Sequence, residues 1–167
     1  MKKLLALMVM MLMLGTLCLH SAHAKKKQVL RVPGGTSVPK LGMAIDASYD
    51  PRFDNFVPGY KILQVAIVNN SFNMIPMDPK KDKWSVVTLE GKKVYPAIVD
   101  LRLDNPRAWN ALPEKTRNII AYPLILPIGA RQVFDLFVPA GAPLETFRQV
   151  NIDINSMDVA LEIIPTN

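Results

Sequence analysis

Residues Lys61–Ser71 read KILQVAIVNNS. Leu63, Val65 and Ile67 alternate, with Phe72 at the far end of the series, and Asn69-Asn70-Ser71 stops the run. Val and Ile are stiff at χ1 and fit a pleated surface, so this spacing predicts a strand with one face in a core. Its fully apolar middle, Val65-Ala66-Ile67-Val68, predicts cover on both faces, as in a central strand.

Working outward, the same period-two pattern recurs. Gln28–Val32 and Leu41–Ala47 precede the central run, and Arg131–Val138, Phe147–Ile154 and Met157–Ile164 follow it. Lys83–Leu89 and Lys93–Val99 flank Glu90-Gly91-Lys92, a short glycine-bearing loop, which predicts a hairpin. Pro96 cannot donate to a ladder, so the second arm is expected at an edge or a bulge. Arg117–Tyr122 reads as a further strand. Asp104–Leu112 is the one expected helical turn, with Asn105 as cap, Pro106 at the first helical position, Pro113 as stop, and Trp109 plugging an edge. Short strands between Pro/Gly-rich turns predict an all-β chain, an antiparallel immunoglobulin-like β-sandwich of about seven to nine strands, with a jelly roll or small barrel as the alternative.

The first 24 residues read as a signal peptide. Lys2 and Lys3 form a positive start, Leu4–Leu19 an apolar run, and Ala22-His23-Ala24 a small-x-small cleavage site. Residues 25–40 form an N-terminal extension with a possible edge strand, and residues 41–167 the sandwich domain. Cleavage removes the only cysteine, Cys18, and both histidines, His20 and His23. Leu17 precedes Cys18, which argues against a lipid-modified cysteine. About 143 residues remain, enough for one packed core without a disulfide. The formal net charge falls from +6 to +4 with the loss of Lys2 and Lys3. That balance suits an anionic surface and does not make a nucleic-acid-binding signature.

These losses restrict the chemistry. Serine hydrolases need a base, usually histidine, and zinc sites need Cys or His. No phosphate-cradling glycine motif is present. A non-enzymatic role with no cofactor is therefore expected. Two alternatives stand beside it. A metal-handling protein would use Asp46, Asp50 and Asp54 for calcium, or Met74 and Met77 for copper. The plainer reading has the Asp side chains fold back on local amides and the Met residues fill core gaps. A glycan-active enzyme would use two of Asp135, Glu145 and Asp153. The plainer reading pairs Asp135 with Arg131 or Arg148.

The order of motifs also carries a resemblance. A long loop ends in Pro58-Gly59, and a strand ends in Asn69-Asn70-Ser71. The Gly91 hairpin is followed by Tyr95, then Leu124–Gly129, Val133-Phe134-Asp135 and Val138-Pro139. This resembles exported bacterial immunoglobulin-like domains of unknown function, found in secreted antigens and lipoproteins, over Leu41–Ile164. Ile128 between Pro127 and Gly129, and Ala130-Arg131 in place of a strand-leading glycine, depart from that pattern, as does the missing lipid cysteine. The resemblance implies an extracytoplasmic binding or accessory module, periplasmic or secreted, and supplies no catalytic residue. Its partner would be an envelope protein, a surface polymer or an anionic surface, with membrane association through an uncleaved leader or surface charge. Lys80, Lys81, Lys83, Lys92 and Lys93, around the hairpin Trp84–Val94, are the candidate binding surface. The plainer reading of these lysines is edge protection.

Overall fold

The computed structural model describes residues 27–89 and 93–165. The chain begins with β1 (Gln28–Pro33), β2 (Thr36–Val38), β3 (Met43–Tyr49) and β4 (Tyr60–Asn69), then β5 (Ile75–Pro76), β6 (Lys83–Thr88) and β7 (Val94–Ala97). Three short helices follow: α1 (Leu101–Asp104), α2 (Pro106–Ala111) and α3 (Glu114–Ile120). The last strands are β8 (Ile125–Leu126), β9 (Arg131–Pro139), β10 (Phe147–Asp153) and β11 (Val159–Ile164).

The strands form a five-stranded sheet in the order β1-β11-β10-β6-β7, a four-stranded sheet β2-β3-β4-β9, and the small pair β5-β8. Most pairings are antiparallel; β1 runs parallel to β11. The alternation of the sequence is the alternation of burial. Leu63, Val65 and Ile67 of β4 meet Phe134, Leu136 and Val138 of β9 and Trp84, Val86, Val150, Ile152 and Leu161 of the larger sheet in one core. At about 25 cal/mol per Å² of apolar surface, this shared interior is the main stabilising term.

β4 lies between β3 and β9 and is covered on both faces, but only along part of its length. On the outer face Ile62 packs with Phe137, Val57, Leu101 and Ile120, while Ala66 is exposed. The helices supply that cover. Asn105 caps α2 by accepting a hydrogen bond from the Ala108 amide at 3.1 Å, with Pro106 in the first turn. Trp109 packs into this outer cluster rather than plugging a sheet edge.

Arg117–Tyr122, expected as a strand, is instead the end of α3 and the loop after it. Its β-branched residues favour a strand locally, but Ile120 is buried against Leu101 and Phe137, and tertiary packing overrides propensity. α1 was not expected at all; Asp100 caps it through the Arg102 amide at 2.9 Å. Pro96 sits in β7, an outermost strand, as its missing donor requires. The two large sheets meet at one margin where Ile98 and Phe137 exchange backbone hydrogen bonds of 2.9 Å. They do not close into a barrel.

Candidate binding surface

Asn69, the residue that ends β4, organises one end of the molecule. It is completely buried. Its Nδ2 donates to the carbonyls of Asn73 at 2.9 Å and of Leu126 and Pro127 at 3.1 Å. Its Oδ1 accepts from the Ser71 amide at 3.1 Å and the Ser71 hydroxyl at 2.6 Å. One side chain thereby ties the loop after β4 to the loop before β9. The β5–β8 pair, Ile75 opposite Leu126 and Pro76 opposite Ile125, continues the join, as does the hydrogen bond of the Met77 amide to the Leu124 carbonyl at 2.9 Å.

The loops so joined are apolar on the outside. Phe72 is 95% exposed and Leu124 71% exposed; Met74, Ile125 and Ile128 are also exposed. Phe72, read from the sequence as the end of a buried alternation, thus lies beyond the strand and in solvent. A cavity of about 320 Å³ beside them is lined by Lys40, Leu41, Met43, Ser71, Met74 and Met157. Gly42 lets the chain pass close: it sits at φ +61°, and a Cβ there would come within 2.8 Å of the Ser71 Cα.

The lysines expected at the hairpin do not converge. Lys80 and Lys81 lie in the turn before β6, and Lys83 begins that strand. All three are exposed at the Asn69 end, with Lys81 in an ion pair with Asp78 at 3.0 Å. Lys93 is at the far end of the same strand, where its carbonyl accepts from the Thr88 amide and its ammonium lies over the Tyr95 ring. A six-residue strand separates the two groups by about 20 Å. Lys92 falls outside the described residues.

The three acids proposed for calcium each bind a different local partner. Asp46 accepts from the Ala47 amide, and Asp50 from the Arg52 amide and guanidinium, which holds its carboxyl below the usual range. Asp54 accepts from the Tyr49 hydroxyl at 2.8 Å. Among the described residues no group of three metal-ligating His, Cys, Asp or Glu forms. Met77 is in the core at 4% exposure while Met74 is 59% exposed, so the proposed thioether pair is divided between interior and solvent.

The carboxylates proposed for glycan chemistry are likewise dispersed. Asp135 accepts from the Gln64 amide at 2.9 Å on the outer face of the four-stranded sheet, rather than pairing with Arg131 or Arg148. Burial pushes its carboxyl above the ordinary range, against the downward pull of that amide. Glu145 accepts from Lys61 at 2.7 Å, and that bond holds it below the usual range. Asp153 is paired with Lys27 at 2.6 Å. A cavity of about 530 Å³ opens at the end opposite Asn69, between Leu89, Phe147 and Ile164.

No protein-family model, no curated protein and no solved structure matches this chain.

Proposed function

We propose that this chain is a non-enzymatic binding or accessory module, exported by its leader to the cell envelope and built as an immunoglobulin-like sandwich, which engages its partner through the Asn69 end. One observation carries the reading: five large apolar side chains stand exposed on two loops that a single buried asparagine ties together. Apolar residues scattered singly over a surface need no explanation, but five of them on joined loops at one end mark an interaction site. Two sheets around one core support the architectural part, because such a scaffold holds its end loops in place. Lys80 and Lys81 precede β6 and Lys83 begins it at this end, whereas Lys93 stands beyond the other end of that strand.

The test is retention of envelope components by immobilised protein. Replacing Phe72 and Leu124 by Ser is expected to abolish tip-dependent retention, while reversing the charge of Lys93 leaves it unchanged. Equal retention by the Phe72→Ser, Leu124→Ser variant and the parent chain would remove this surface from consideration.

A further inference from the structure

We infer that the partner of the Asn69 end is an anionic phospholipid bilayer, into whose interface Phe72, Met74, Leu124, Ile125 and Ile128 insert; this rests on the reading of that end as the binding surface. The shape of the surface bears on the kind of partner. Sites for peptides and small ligands are concave or offer an open strand edge, and they receive side chains. Phe72 at 95% exposure stands outside the cavity lined by Met74, so it is offered to a partner rather than receiving one.

The backbone of the tip is prepared for a medium of low polarity. An unpaired carbonyl taken into the acyl region costs several kcal/mol. The carbonyls of Asn73, Leu126 and Pro127 are already bonded to Asn69, that of Leu124 to the Met77 amide, and that of Asn69 itself to the Gly129 amide. The apolar side chains can therefore be buried without stranding these groups.

Charge gives the surface its lipid preference. Lys40, Lys80, Lys81, Lys83 and Arg131 are exposed, with Lys80 and Lys81 in the turn that follows Met77. Lys40 shares the cavity wall with Ser71 and Met74, and Arg131 leads β9 opposite Val68, next to Asn69. The group is net positive even with Asp78, Asp158 and the buried Asp82 counted against it. Basic residues around an inserted apolar tip are drawn to the negative surface potential of anionic lipid.

The experiment is co-sedimentation of residues 25–167, which hold every described element and lack the leader, with phosphatidylglycerol-containing and with pure phosphatidylcholine vesicles. The parent chain is expected to bind the anionic vesicles and to release them at high salt. Phe72→Ser with Leu124→Ser should lower the partition coefficient by about tenfold or more. Lys80→Glu with Lys83→Glu should lower it by about tenfold or more, with unchanged circular dichroism for both variants. Absence of binding, equal binding to both vesicle types, or no loss in either variant overturns the lipid assignment. Were Phe72-dependent capture of an envelope protein to persist without vesicle binding, the surface would stand and the lipid would fall. If neither readout depends on Phe72, both fall.

Discussion

The Tyr122 hydroxyl donates to a carboxylate oxygen of Asp82 across 2.8 Å, and both residues are buried. The same carboxylate accepts the Asp78 amide at 2.8 Å and the Asn155 amide at 2.8 Å. Asp82 thus joins the turn before β6, the loop after α3 and the loop after β10. Burial, reinforced by the carboxylate, holds the Tyr122 hydroxyl protonated well above the ordinary phenol range. Tyr122→Phe strips Asp82 of one donor and should cost about 1–3 kcal/mol. Asp82→Ala leaves three donors unmet and should cost more, about 3 kcal/mol or above. Urea unfolding of the two variants checks the order; a milder effect at Asp82 would contradict it.

Asn69 is expected to behave as a stability residue with a binding phenotype. Asn69→Ala removes every side-chain bond that joins the two loops and should cost about 2–3 kcal/mol. Asn69→Asp is nearly isosteric and should be no better at neutral pH, because a carboxylate would face the carbonyls of Asn73, Leu126 and Pro127. Hydrogen exchange should show loss of protection at the Met77 and Gly129 amides first.

Gly42→Ala should destabilise by about 2 kcal/mol or more. The left-handed backbone disfavours any Cβ, and the clash is with the Ser71 backbone, which cannot rotate away. Gly59→Ala, also at positive φ but with open space around it, should cost less. Thermal melts of the pair separate close packing from backbone preference.

Asp135 sets a pH dependence. Its folded pKa is raised, so between the ordinary carboxylate value and the folded value the native state holds more protons than the unfolded chain. Stability from this residue therefore falls as pH rises through that window and stays lower above it. Asp135→Asn keeps the Gln64 bond geometry and removes the half-buried charge. It should raise Tm at pH 7 and lose that advantage near pH 3, below both pKa values. A Tm gain independent of pH would show that charge is not the cause.

The strands were legible because burial on a sheet has period two, and Leu63, Val65 and Ile67 carry that period without interruption. The partner of each strand was not legible. Gln28–Val32 reads as an edge, but nothing local announces that it lies parallel to β11. α3 was hidden by Ile119 and Ile120, whose strand preference is overridden where Ile120 joins the cluster around Phe137. The candidate site was partly legible for a similar reason. Lysines adjacent in sequence at the hairpin are set apart by the length of β6, whereas the loops that carry Phe72 and Leu124, more than fifty positions apart, are joined by Asn69. An Asn-Asn-Ser stop followed by an aromatic was the available signal, since a large apolar side chain in a polar loop is there for some contact.

The parallel zipper of β1 and β11 sets the timing of folding. Arg31 and Glu162, 131 positions apart, meet across it at 2.8 Å. During synthesis the amino-terminal strand therefore has no neighbour on that side until the distant carboxy-terminal segment emerges. Such long-range pairing slows folding, because the entropy of closing so large a loop is lost before any contact rewards it. The five-stranded sheet is completed on that side only once Val159–Ile164 has been made.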